Sequence, residues 1–307
     1  MKKHITLLIP CYNEAGSIPL LYERLVKVLA GVTEYELLFI DDGSTDATLE
    51  LLKELREKDS RVSFIRFSRN FGHQAALKAG YDHARGDAVI CLDADMQHPP
   101  EMIPQMVTLW QQGYDVVYTI REDKGKLPFI KRVTSKGFYR IINKLSDTSI
   151  NRGAADFRLL DRKVVDALRR MPETNLFFRG MIPWLGFKQI SIPYQANERV
   201  AGETKFSFVK MLNLALNGVT GFSIRPLRLS LFAGLIIAML AAVYGFYAIA
   251  MSLFTDKTIA GWTSVIVSVL FLSGIQLIVL GIMGEYIGKL FMEIKRRPHY
   301  VIEELSE

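Results

Sequence analysis

Only two cysteines, Cys11 and Cys91, occur in 307 residues. Each stands at the end of an apolar run, so a disulfide framework, a dithiol redox centre and a thiolate metal site all lack their raw material, and both read as buried free thiols. Histidine is sparse too, with five in the chain. His4, His73, His83 and His98 show no metal-ligand spacing and read as structural or peripheral, with His73 set apart by the polar loop it occupies. Nucleotide signatures are missing too: no G-x-G-x-x-G follows the first apolar run and no G-x-x-x-x-G-K-[ST] occurs, which leaves neither a dinucleotide fingerprint nor a P-loop. The net charge of +6 comes without a nucleic-acid-binding motif. Basic residues collect near the apolar C-terminal third, so the expected partner is anionic lipid and no nucleic acid. The opening "MKKHITLLIP" is broken at Pro10 and Asn13, too early for a signal peptide, and secretion is not expected.

Charge is absent altogether from two long runs, Leu229 to Phe254 and Trp262 to Gly284. Each exceeds the roughly 20 residues that cross about 30 Å of hydrocarbon as a helix. Core helices of soluble proteins rarely stay uncharged on every face for so long, so two membrane spans are expected within 227–288. Arg225 and Arg228 precede the first run and "KRRPH" (295–299) follows the second, against one lysine in the connecting "TDKTIAG". The positive-inside rule then puts both termini, including a tail at 289–307, in the cytoplasm, and the protein in the inner (cytoplasmic) membrane.

The remainder alternates. "HITLLIP", "YELLFID", "VSFIRFS", "DAVICLD" and "YDVVYTI" have strand character, and between them "SIPLLYERLVKVLA", "STDATLELLKELREK", "GHQAALKAGYDHA" and "PEMIPQMVTLWQQG" have helical periodicity. That pattern predicts an α/β domain over 1–204 with a mostly parallel sheet covered on both faces. Ligands of such sheets bind at the carboxyl ends of strands. The polar motifs fall there: "PCYNE" (10–14), "DDGSTD" (41–46), "SRNFGHQ" (68–74) and "DADMQHPPE" (93–101). Paired carboxylates hold a diphosphate only through a hard divalent cation, so Asp93, Asp95 and Gln97 are a candidate Mg2+ or Mn2+ seat. A D-x-D alone is weak, and its position at a strand end supplies the weight.

In this order, with "ADFRLLDR" (155–162), "NERVAGETKFS" (197–207) and two spans, the motifs resemble those of polyprenyl-phosphate glycosyltransferases. These are inverting enzymes of glycosyltransferase family 2 with the GT-A (nucleotide-diphospho-sugar transferase) fold, among them bactoprenol glucosyl transferases and dolichol-phosphate mannose synthases. The resemblance covers nearly the whole chain. It implies a nucleoside pocket lined by Pro10, Tyr12, Glu14 and Asp42, with Asn70 and Gly72 in the loop nearby. Asp93 and Asp95 match the aspartates of the metal and sugar diphosphate, and Gln97 the third member. Asp156 matches the carboxylate that acts as base or orients the acceptor phosphate. Arg199 and Lys205 match basic residues of a segment that closes over the donor. Relatives often carry glycine where this chain has Ala155, a change that bears on loop conformation more than on chemistry.

Two basic amphipathic segments are expected at the membrane surface, 126–146 and 205–226. By the resemblance the first meets the lipid phosphate, here through Lys131, Arg132 and Ser135. The implied reaction is hexose transfer to undecaprenyl phosphate from UDP-glucose, with UDP-N-acetylglucosamine as the next donor, for cell-envelope glycan modification. A separate flippase and a downstream glycosyltransferase are implied as partners. Small residues in the spans permit a homo-oligomer. Two other readings stand: a processive polysaccharide synthase, weakened by the lack of Q-x-x-R-W and of further spans, and an inactive nucleotide-sugar-binding membrane protein, weakened by Asp93, Asp95, Gln97 and Asp156 occurring together.

Overall fold

The computed structural model describes residues 3–31, 34–121, 154–174, 176–195, 225–254 and 261–306. The segments expected at the membrane surface, 126–146 and 205–224, lie outside the described residues, and so do Lys131, Arg132, Ser135, Arg199 and Lys205.

Alternating buried side chains build the central sheet. In β1 (Ile5–Cys11), Ile5, Leu7, Ile9 and Cys11 enter one apolar cluster and Leu8 enters the other, so both faces of the strand are covered. Four βα units follow as the periodicity predicts: α1 (Ile18–Leu29), β2 (Tyr35–Asp41), α2 (Thr48–Lys58), β3 (Val62–Phe67), α3 (His73–His83), β4 (Ala88–Cys91), α4 (Ile103–Gln111) and β5 (Val116–Arg121). A short 3-10 turn, Pro100–Met102, starts α4, where proline costs no hydrogen bond. Helix α3 lies unusually close to β1, since a Cβ on Gly80 would overlap the Leu8 side chain.

The second half departs from simple alternation. Strand β6 (Ala154–Asp161) inserts antiparallel between β4 and β5, and after α5 (Arg162–Arg169) and α6 (Phe178–Trp184), β7 (Gln189–Tyr194) adds parallel to β5. The eight strands run β7-β5-β6-β4-β1-β2-β3-β8. Strand order therefore reverses between β1 and β4, the point at which open α/β sheets leave a crevice for ligands.

Two long helices follow, α7 (Arg225–Phe254) and α8 (Trp262–Lys295). No residue in their most apolar windows is buried, so they are not core helices of the domain. Both are long and apolar enough to cross a membrane. Helix α8 extends past the predicted end of its span through Glu285, Lys289 and Glu293, with Lys289 paired to Glu285. The tail read from sequence as following the spans joins the central sheet: β8 (Ile302–Leu305) pairs antiparallel with the edge of β3. Four residues, half of them acidic, are too short a run to read as a strand, and edge pairing supplies the backbone bonds that make them one.

Candidate active site

The loops after β1 and β2 are laced together. The Asn13 amide donates to Ser44 Oγ at 2.9 Å, its side-chain oxygen accepts from the Thr45 amide at 2.8 Å, and the Glu14 amide donates to Thr48 Oγ1 at 3.0 Å. Asn13 takes a left-handed φ of 56°, which asparagine tolerates better than most residues. Pro10 is buried at the end of β1, Glu14 is half-buried, and the Tyr12 ring is exposed beside them. The buried thiols of Cys11 and Cys91 are free, and burial pushes both well up, so neither supplies a thiolate.

Asp42 joins this floor to the loop after β3. Its carboxylate accepts from the backbone amides of Phe71 and Gly72 at 2.6 and 2.9 Å. Burial raises its pKa against the pull of those two amides. Gly43 makes the approach possible: its φ is +70°, and a Cβ there would lie 2.5 Å from the Arg69 carbonyl carbon. Asn70 is exposed on the same loop. The predicted nucleoside residues of three strands thus form one connected ledge, in which Asp42 acts as a loop clamp.

Beyond β4 the chain turns sharply through Asp93 to Gln97, with Met96 buried at φ 65°, a strained conformation for a side chain of that size. His98 holds this turn. Its Nδ1 accepts from the Asp93 amide at 3.1 Å while its ring stacks on Phe157 at 5.2 Å. Gln97 donates from its backbone to Asp95 Oδ1 at 3.1 Å and from Nε2 to Oδ2 at 2.7 Å, and its Oε1 accepts from Arg121 at 3.2 Å. Gln97 therefore buttresses Asp95 in this geometry; its oxygen is turned to Arg121. Asp93 Oδ1 is buried and, among the described residues, has no hydrogen-bond partner. An orphaned carboxylate oxygen is a costly feature that a cation would satisfy. Among the described residues no three His, Cys, Asp or Glu side chains converge as a self-sufficient metal cage. Two carboxylates with the remaining positions left to phosphate oxygens and water is the ordinary arrangement for Mg2+, so the donor set fits.

Beside Asp93 stands Asp156, on β6. The register that sets Cys91 opposite Arg158 carries Asp156 to the end of β4, where Asp93 follows. Asp156 is buried and accepts from Arg179 Nε at 3.1 Å, from an Arg179 terminal nitrogen at 2.7 Å and from Arg158 at 3.2 Å. Burial alone would raise its pKa, but the Arg179 charge, the His73 contact and the Arg158 charge together hold it well below the usual carboxylate range. His73 Nε2 lies 3.6 Å from Asp156 and 3.7 Å from Asp93, so a single imidazole atom stands between the two carboxylates. Partial burial opposes its charge, yet Asp156 and Asp93 lift it to about 9.

The structure sets Asp93, with Asp95 and Gln97 in the same turn, one imidazole away from Asp156; sequence reasoning passed over Arg158, Arg179 and the bridging position of His73. Arg158 had a signal: two residues from Asp156 on a strand, it shares its face. Arg179 had a fainter one, a lone charge within "LFFRGMI".

Residues 6–169 match the family described as Glycosyl transferase family 2, and residues 225–290 match the GtrB C-terminal hairpin. An uncharacterized glycosyltransferase, YkcC of Bacillus subtilis, is 45% identical over 99% of this chain and 95% of its own length. A prophage bactoprenol glucosyl transferase homolog of Escherichia coli is 42% identical over 99% of both chains. The crystal structure of mannosyl-3-phosphoglycerate synthase from Rubrobacter xylanophilus superimposes with a TM-score of 0.50 at 13% identity, over 71% of this chain and 72% of that one, a likeness of fold alone. A GT-A sheet with its carboxylates at the strand switch point, joined to this hairpin and matched end to end by such relatives, makes the chain a glycosyltransferase that belongs to glycosyl transferase family 2.

Proposed function

We propose that the protein transfers a hexose, with UDP-glucose as the first donor to test, to undecaprenyl phosphate with inversion at the anomeric carbon, on the cytoplasmic face of the membrane. The observation that carries this reading is Asp156, a buried carboxylate kept ionised by two guanidinium groups beside Asp93. A hydroxyl acceptor needs a base able to take a proton, and a carboxyl held so low is a poor one. A phosphate monoester is already anionic and asks only to be placed. Its oxygen attacks the anomeric carbon, the carbon–oxygen bond to the diphosphate breaks, and the nucleoside diphosphate leaves with the electron pair. The relatives named as bactoprenol glucosyl transferases support the same donor sugar and lipid class.

In this reading Pro10, Tyr12 and Glu14 line the nucleoside, and Asp42 fixes the 70–72 loop against it. Asp93 and Asp95 hold Mg2+ or Mn2+ and Gln97 orients Asp95. When bound, the ion neutralises the diphosphate and stabilises it as a leaving group. Arg199 and Lys205 close over the donor, and Lys131, Arg132 and Ser135 meet the acceptor; all five belong to the proposal by resemblance.

Incubation of the full chain in detergent with undecaprenyl phosphate and a panel of radiolabelled UDP- and GDP-sugars, with and without Mg2+ or Mn2+, tests this. Labelled lipid from UDP-glucose, dependent on metal and abolished in Asp95→Ala, is the expected result. Labelling from UDP-N-acetylglucosamine alone would replace the sugar and keep the reaction. No labelling from any donor, in protein that melts cooperatively, would refute the activity.

A further inference from the structure

We propose that the Tyr194 hydroxyl donates a hydrogen bond to a substrate phosphate oxygen, either of the donor diphosphate or of the acceptor monophosphate. The contact presupposes the nucleotide-sugar and lipid-phosphate substrates proposed above and adds to them a binding residue that no motif marks.

Tyr194 ends β7 and pairs in parallel register with Arg121, the last residue of β5. Both therefore stand at the carboxyl edge of the sheet, where the D-x-D turn also follows β4. Alternation puts Tyr194 on the same face as the buried Ile192, and both join one apolar cluster with Phe157. The Tyr194 ring meets the His98 ring at 5.8 Å and 65°, and the Phe157 ring at 6.4 Å and 84°. His98 is the residue that holds the Asp93 amide. Packing thus fixes the phenol beside the turn that carries Asp93 and Asp95, so little freedom is left to lose when a ligand arrives.

Tyr194 is 6% exposed, and a phenol buried to that degree ordinarily finds a partner for its hydroxyl. Among the described residues this one makes ring contacts and no hydrogen bond. Its oxygen is not sealed away either, in contrast to the orphaned Asp93 Oδ1. The small exposed part of the residue therefore includes the oxygen: the ring is inside and the hydroxyl opens outward. The charged groups that act on it are Arg121, Asp93, Asp95 and Arg179, which places the opening beside the seat proposed for the diphosphate.

Burial raises the pKa of the phenol, Arg121 opposes the rise, and Asp93 and Asp95 add to it. The hydroxyl keeps its proton throughout the neutral range and meets a ligand as a donor. A phosphate oxygen is the matching group, since it offers lone pairs and its charge strengthens the bond.

The test uses the full chain in detergent and calorimetry with UDP and GDP in Mg2+, farnesyl monophosphate, and the matching nucleosides as phosphate-free controls. Unmodified protein and Tyr194→Phe are compared, and the melting temperature of each is taken without ligand. Phenylalanine keeps the ring and its packing on His98 and Phe157, so the variant should melt within about 1 °C of the unmodified protein. It should bind at least one of the phosphate ligands about tenfold more weakly, with nucleoside affinity within about twofold. Weakening confined to the nucleoside diphosphate assigns the contact to the donor, weakening confined to farnesyl monophosphate assigns it to the acceptor, and weakening of both assigns it to both. Unchanged affinity for every phosphate ligand would overturn the proposal, and so would equal weakening of nucleoside and nucleoside diphosphate. A fall of several degrees in melting temperature would also overturn it, by showing the hydroxyl bonded within the protein. Unmodified protein that bound no phosphate ligand at all would refute the proposed substrates and this contact with them, whereas unchanged binding by Tyr194→Phe refutes the contact alone.

Discussion

At the scale of single residues the chemistry turns on which carboxylates can change charge. Asp156 cannot within the physiological range: Arg179, His73 and Arg158 outweigh the cost of burying it. A carboxyl whose folded pKa is depressed adds stability above its unfolded value of about 3.9 and loses it only as the solution is acidified below that. Asp156 is therefore ionised, and its ion pairs intact, throughout the range in which the enzyme would be assayed. The acid limb of kcat/KM should then follow the second ionisation of the acceptor phosphate, about pH 6, and not a carboxyl of the enzyme. In Asp156→Glu, whose longer side chain fits the two guanidinium groups less well, the rate should fall while the limb stays at the same pH. A pH–rate series on both proteins checks this, and a limb that moved with the substitution would make residue 156 the proton acceptor.

Elements were legible in the sequence to different degrees, for physical reasons. The first four βα units were legible because their strands are largely buried on both faces and rich in apolar and β-branched residues, while their helices show one apolar stripe. The D-x-D turn and "ADFRL" were legible as motifs, but the pairing of β6 between β4 and β5 was not, since antiparallel insertion is a long-range choice with no local periodicity. Strand β8 was invisible for another reason. Its sequence, "IEEL", is half acidic, and its stability comes from partners 240 residues away: Ser306 Oγ bridges the Phe64 backbone, Lys53 pairs with Glu304, and Arg66 with Glu303. Tyr300 anchors the approach, stacked on Phe67 at 5.1 Å and donating to Asp82 at 3.0 Å. Tyr300→Ala should cost about 2–3 kcal/mol through the lost ring packing and hydrogen bond. On a domain of this size that lowers the melting temperature by roughly 5–10 °C. Tyr300→Phe, which keeps the ring, should cost about 1 kcal/mol. Equal melting temperatures for the alanine variant and the unmodified protein would show that β8 contributes nothing to the sheet.

For the molecule as a whole, that same strand constrains how the chain meets a membrane. Because β8 pairs with β3, the end of α8 lies on the same side as the catalytic sheet. Residues 255–261, between α7 and α8, can reach at most about 25 Å when fully extended. That is less than the roughly 30 Å of a hydrocarbon core. If both helices span, the connector cannot carry the chain back across, so α7 and α8 must run in opposite directions with Arg225 and Lys295 at one surface. The cationic residues agree, with Arg225, Arg228 and Lys295 to Arg297 at that surface and only Lys257 in the connector. The orientation proposed above puts the catalytic domain and the end of α8 at the cytoplasmic surface together. Cysteine scanning tests this cleanly because the native thiols are buried. In intact cells a membrane-impermeant maleimide should label Lys257→Cys, whereas Arg297→Cys should react only after permeabilisation. Labelling of Arg297→Cys from outside would invert the orientation and remove the catalytic domain from its donor. Labelling of both positions only after permeabilisation would show that the hairpin does not cross the bilayer.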